Sequence, residues 1–175
     1  MNRVSALVAF TGMLVVGRVG FGQQAVIVVR HAEKSTTPGA GQDPPLSPAG
    51  EARARALAEH LKDAHVDAVY ATEYKRTRLT AEPLAMVVGQ TVGLIDDEVV
   101  AALRERGKDQ VVVIVAHAGT VKGVSTYVDQ ITGRKNNIVL GESDFDQMFI
   151  LTPKKDGAWS VIRARYGKPS AEQTR

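Results

Sequence analysis

Two histidines stand where the two most apolar stretches of this chain end. His31 closes "AVIVVRH" (residues 25–31), and His117 follows "QVVVIVA" (residues 110–116). Arg30 directly precedes the first histidine, and Arg76 lies just beyond a third apolar run, "VDAVYAT" (residues 66–72). These four side chains share one chemistry. A neutral imidazole is a competent nucleophile that can carry a covalent intermediate. Guanidinium groups match phosphoryl oxygens bidentately and cannot deprotonate, so they clamp a dianion. A second imidazole can donate to oxygens where charge sits during transfer. Such a cluster repels itself when empty, and an anion is its natural resident.

Each residue also has a plainer reading. Arg30 and His31 could merely mark where a buried strand leaves the core. Arg76 could pair on a helix surface with Glu73 or Glu82, and Arg78 is assigned that role. His60 and His65 lie on or just after a helical segment and are read as solvated. Two histidines at matching strand ends, one preceded by arginine, favour the shared site. Metal binding is the rival use of paired histidines, but no H-E-x-x-H or carboxylate set accompanies them, and the arginines would repel a cation.

The elements that must position these residues follow from periodicity. Val26–Val29 is an unbroken β-branched run, the pattern of a strand covered on both faces, and residues 110–116 are the clearest buried strand. Residues 66–72 form a second strand in chain order and "TVGLI" a weaker third. Helices are expected after Ser47, an N-cap followed by Pro48, with an apolar stripe through Ala52, Ala56, Leu57 and Leu61. A second helix covers "KRTRLTAEPLAMVV", bent or restarted near Pro83, and a third covers "DDEVVAALRERG", ending at Gly107. A fourth is expected from about Thr120 to Gln130. "QMFILT" and "AWSVIRARY", separated by "PKKDG", read as a closing antiparallel pair. Alternating strands and helices imply an α/β fold with a mostly parallel sheet, in which ligands bind at the carboxyl ends of the strands. His31 and His117 would then share one edge.

Composition narrows the function classes. The chain has 175 residues, enough for one domain. Residues 1–22 join an early Arg3 to a short apolar stretch and small residues at Gly20 and Gly22, the pattern of a secretory signal. The apolar run is well under the roughly 20 residues that span a bilayer. Residues 23–175 are therefore expected to be the domain, periplasmic or secreted, with no stable membrane insertion after signal cleavage. Without the leader, the basic-to-acidic balance falls from 22 against 19 to 20 against 19, since Arg3 and Arg18 leave and no acid does. No concentrated basic face remains for nucleic acid. The absence of cysteine excludes thiol catalysis, disulfides and cysteine-based zinc sites.

At this point the motifs match a family. "VIVVRHAEK" resembles the R-H-G-E signature of the histidine phosphatases, the superfamily that includes phosphoglycerate mutases. "LSPAGEARARALAEHL", "VYATEYKRTRLTAEPLA", "VVVIVAHAGTVKGV" and "SDFDQMFILT" resemble its later segments, in order, over about residues 25–166. The resemblance implies a three-layer α/β/α sandwich with antiparallel C-terminal strands, and neither metal nor organic cofactor. It makes His31 the residue that becomes phosphohistidine, with Arg30, Arg76 and His117 binding the phosphoryl group. The substrate would be a phosphorylated small molecule or a phosphoprotein, and the compact layout is similar to the short exported bacterial members.

Two departures bear on activity. Ala32 stands where the signature has glycine, and the long insert that carries a proton-donating glutamate in many relatives is reduced to "GQTVGLIDDEVVAALRERGKDQ". Asp96, Asp97 and Glu98 are candidate acids there, although helix capping alone explains them. The expected activity is phosphomonoester or phosphohistidine hydrolysis through His31. The alternatives are a mutase-type phosphotransferase and a catalytically silent phosphate-binding domain.

Overall fold

The computed structural model describes residues 24–105, 109–119 and 121–170. The expected leader (1–22), the helix stop at Gly107 and the helix start at Thr120 lie outside the described residues. Six strands and four helices follow one another as β1 (Ala25–Arg30), α1 (Pro48–Leu61), β2 (Val66–Ala71), α2 (Lys75–Val87), β3 (Val92–Leu94), α3 (Asp97–Arg104), β4 (Val111–Ala116), α4 (Val124–Thr132), β5 (Gln147–Pro153) and β6 (Trp159–Arg165).

The strands form one sheet in the order β3-β2-β4-β1-β5-β6. The first four in that order pair in parallel, and β5 and β6 add antiparallel. Alternate residues of β1 and β4 point to opposite faces and bury both. Val26, Val28, Val112 and Ile114 join Val100, Leu103, Val124, Val128 and Ile131 under α3 and α4. Ile27, Val29, Val113 and Val115 join Leu57, Leu61, Ala81 and Leu84 under α1 and α2. The result is the expected α/β/α sandwich. Its chain leaves β1 toward the β2 side and leaves β4 toward the β5 side, so the β1/β4 boundary is the topological switch point where such sheets hold ligands.

Three helices differ in detail from the sequence reading. In α1 the Ser47 side chain does accept from the Gly50 amide at 3.1 Å, as its N-cap position requires. The buried face, however, runs through Arg53, Ala54, Leu57, Ala58 and Leu61, while Ala52 is exposed. A buried arginine on that face is what displaces the expected stripe. Helix α2 continues through Pro83 without interruption. Helix α4 starts at Val124 and runs to Thr132, not from Thr120 to Gln130. The delay has a steric cause: the loop after His117 folds back so tightly that a Cβ on Gly123 would overlap the Gly119 carbonyl. The His117 carbonyl then accepts from the Val124 amide at 2.9 Å. Gly50 has an equivalent role, since a Cβ there would overlap the Glu33 carbonyl. That contact lets α1 press on the loop carrying His31.

Candidate active site

The parallel register pairs Arg30 with Ala116, so His31 and His117 emerge side by side at the carboxyl edge. The His31 amide donates to the Ala116 carbonyl at 2.8 Å, closing the ladder one residue beyond the strand. The two imidazoles meet edge to face with ring centroids 5.4 Å apart. The sequence-derived pair is therefore one constellation.

His31 is buried, and its Nδ1 lies 2.7 Å from the Ala32 carbonyl. A carbonyl can only accept, so Nδ1 carries the proton and Nε2 keeps its lone pair. The Ala32 amide is itself held by the Thr80 hydroxyl at 2.9 Å, which fixes the turn that orients the ring. Burial is the main force that pushes the His31 pKa down to about 3; the Ala32 hydrogen bond opposes it, and Arg30, His117 and Arg76 reinforce it. The ring is neutral at pH 7, with one bare nitrogen.

His117 is half-buried. Its Nε2 lies 2.9 Å from the Thr72 hydroxyl, which lies 2.9 Å from the Thr77 hydroxyl. Burial leads in pushing its pKa down to about 4; Arg76, Arg30 and Lys122 add to the shift and Glu73 opposes it. The Tyr74 ring packs against it at 5.1 Å.

The two arginines are held differently. Arg30 Nη1 donates to the carbonyls of Gly141 and Glu142 at 2.8 and 2.9 Å, and its guanidinium stacks 4.1 Å from the Phe145 ring centre. Its Nε is buried without a partner among the described residues. A buried cationic donor left open is the feature expected of an anion pocket. Arg76 stacks 4.4 Å from the Tyr74 ring and pairs with Asp43 at 3.4 Å, not with Glu73 or Glu82. Arg78, His60 and His65 are exposed, as expected. Glu73 pairs instead with Lys122 at 2.8 Å.

Among the candidate acids, Asp96 caps α3 by accepting from the Val99 amide at 2.8 Å, and Asp97 and Glu98 occupy the first turn. Thr72, Thr77, Asp43 and Phe145 escaped the sequence reading. The threonines carry a weak signal, hydroxyls five residues apart across a strand-to-helix turn. Asp43 lies in a Gly- and Pro-rich loop whose path cannot be read from its sequence. No group of three His, Cys, Asp or Glu side chains able to hold a metal ion occurs among the described residues.

Comparison with known proteins bears on the fold and on part of the sequence. A family model described as histidine phosphatase superfamily (branch 1) matches residues 26–98. Phosphoserine phosphatase 1 of Hydrogenobacter thermophilus is 44% identical over 64 residues, which cover 34% of this chain and 30% of that relative's length. The protein histidine phosphatase SixA, solved with tungstate, superposes with a TM-score of 0.61 at 15% identity over 81% of this chain and 96% of its own. A phosphoserine phosphatase of Entamoeba histolytica, solved with phosphoserine, gives 0.57 at 13% identity over 82% and 96%. The solved structures share the fold with this chain.

Proposed function

We propose, from the match of residues 26–98 to the model of the histidine phosphatase superfamily (branch 1) and from the site geometry, that this protein hydrolyses phosphomonoesters or phosphohistidine through a covalent intermediate on His31. One observation carries the reading. A neutral His31 with Nε2 bare packs against His117, ring centroids 5.4 Å apart, and directly follows Arg30, whose buried Nε has no partner among the described residues.

The reaction proceeds in two displacements. In the first, the Nε2 lone pair forms a bond to phosphorus as the bond to the leaving group breaks. Arg30 and Arg76 hold the phosphoryl oxygens, and His117 supports the charge they carry. In the second, water attacks the phosphohistidine, phosphate leaves and Nε2 recovers its lone pair. The Nδ1 hydrogen bond to Ala32 keeps the ring aimed through both steps and stabilises the positive charge it gains on phosphorylation.

Substrates are phosphorylated small molecules or phosphoproteins, and an exported protein would meet them outside the cytoplasm. The signal-like residues 1–22 support that location. Capping occupies Asp96, so leaving groups that need little protonation, such as aryl phosphates or phosphohistidine, suit the site best.

The test is acid-labile phosphoenzyme trapping with an aryl phosphate, in the wild type and in His31→Ala. The wild type is expected to form a phosphoenzyme and to turn over without added metal, and the variant to do neither. Normal turnover by His31→Ala would sink the assignment. Phosphoglycerate isomerisation exceeding hydrolysis would move the chain to the mutases.

A further inference from the structure

The hydroxyl chain behind His117 determines which of its nitrogens carries the proton. Thr77 Oγ1 lies 2.7 Å from the Tyr74 carbonyl and 3.1 Å from the Thr72 carbonyl. Neither carbonyl can donate, so the single Thr77 hydroxyl proton is committed to a carbonyl. The 2.9 Å contact between the two hydroxyls can then be a hydrogen bond only if Thr72 donates. That uses the Thr72 proton. The remaining 2.9 Å contact, between Thr72 Oγ1 and His117 Nε2, requires Nε2 to donate. Both threonines are buried, at 1% and 0% exposure, so water does not offer them alternatives.

We propose that Thr72 and Thr77 fix neutral His117 as the Nε2–H tautomer, so that binding a phosphoryl group or similar anion in the pocket adds one proton at His117 Nδ1. Thr72 and Thr77 are thus positioning residues. The inference rests on the proposed anion pocket but not on turnover.

The two histidines are held in opposite tautomers. His31 has Nδ1–H and a bare Nε2, set by the Ala32 carbonyl; His117 has Nε2–H and a bare Nδ1, set by the threonines. A bare Nδ1 presents a lone pair, which repels phosphoryl oxygens. It becomes a donor only as imidazolium, when a solvent proton forms an Nδ1–H bond. The groups facing this ring explain the timing. Burial first, then Arg76 from α2, Arg30 at the end of β1, His31 just beyond it and Lys122 from the loop before α4 disfavour the charge in the empty pocket, and Glu73 favours it. The Tyr74 ring packs edge to face against the imidazole at 5.1 Å. A bound dianion offsets the guanidinium charges and reverses that balance. The proton gained also gives the site a donor near the transferring group, where the sequence provides no committed acid.

The experiment uses 15N-histidine NMR on the folded protein, free and with inorganic sulfate, which neither titrates in the working range nor turns over. Free His117 should show Nε2–H and a bare Nδ1 at pH 7, and sulfate should protonate both nitrogens. Thr72→Val, nearly isosteric, should release the tautomer, while Thr72→Ser should restore it. In the same range, sulfate affinity of the wild type should fall about tenfold more per pH unit than that of Thr72→Val, the slope of one linked proton. An Nδ1–H tautomer in the free wild type, no protonation of His117 on sulfate binding, or equal slopes would each overturn the inference. Sulfate binding with the expected tautomer but no phosphatase activity would leave this inference standing and sink the proposed function instead.

Discussion

Arg30 and Arg53 are both buried arginines anchored near the loop that follows β1, yet their surroundings are opposite. Arg53 is closed. Its Nε and Nη2 reach Glu33 at 2.7–3.0 Å, and its Nη1 donates to the Lys168 carbonyl at 2.9 Å. It ties the His31 loop, α1 and the segment after β6 into one unit. Arg30 is half open, with Nη1 on loop carbonyls and Nε unpartnered. A protein that leaves a buried guanidinium nitrogen unsatisfied gives up stability at that point. On the proposed function, the closed arginine serves the fold and the one with an unpartnered nitrogen serves an arriving anion.

The largest expected effect tests the open side. Arg30→Lys keeps the charge but cannot hold the 141–144 carbonyls and a phosphoryl group in one planar fork. Aryl phosphate turnover is expected to fall roughly 100-fold or more, with thermal stability changed far less. Measured kcat/KM alongside the unfolding midpoint separates the two. A variant with a lowered unfolding midpoint but unchanged specific activity would erase the contrast.

The closed side should respond in the reverse order. Arg53→Ala leaves the Glu33 carboxylate partly buried and unpaired, a change that costs about 3 kcal/mol. Chemical denaturation is expected to register that loss, with turnover per folded molecule nearly kept. Pairing Arg53→Met with Glu33→Leu should recover most of the stability, because the uncompensated charge is gone.

The same contrast explains what could be read from the sequence. Strands β1 and β4 were legible because both faces of each are covered, which demands unbroken apolar runs. The pairing of His31 with His117 followed from parallel topology alone. The buried face of α1 was legible at Leu57 and Leu61 but missed Arg53, which looks like a surface residue until Glu33 closes over it. The start of α4 was misplaced because Lys122 takes a left-handed φ of 51° and Gly123 packs on a carbonyl, features no periodicity records. Asp43, Thr72 and Thr77 act through the path of loops and the direction of hydrogen bonds. Residue types alone encode neither.

A third prediction concerns acid. Both site histidines have folded pKa values below the ordinary 6.5, at about 3 and about 4. Below pH 6.5 the unfolded chain binds protons that the folded pocket refuses, so folded stability is lost as pH falls from about 6.5 toward 4. Each histidine contributes a slope of at most about 1.4 kcal/mol per pH unit in that window. Denaturation at pH 7, 6 and 5 should reveal it, and His31→Asn should flatten it. Saturating sulfate should flatten it too, since the anion favours the protonated pocket. A variant as acid-sensitive as the wild type would place the loss elsewhere.

The smallest effect concerns the other guanidinium. Arg76 is neither closed like Arg53 nor open like Arg30, because Asp43 shares it. The Asp43 carboxylate accepts from the Lys75 amide at 3.1 Å and from Arg76 Nη1 at 3.4 Å, at the start of α2. A phosphoryl group reaching Arg76 therefore meets a negative charge already there. Asp43→Asn keeps an oxygen for the Lys75 amide while removing that charge. Losing an anion at a helix N-terminus costs about 0.5 kcal/mol of stability. Relief of repulsion at this partly exposed position is worth about 1 kcal/mol to the bound anion, roughly a fivefold lower inhibition constant for inorganic phosphate. The gain should shrink as salt is raised, since the repulsion is screened. Weaker phosphate binding by Asp43→Asn would reverse the assignment, making Asp43 the group that aims Arg76 into the pocket rather than one that competes for it.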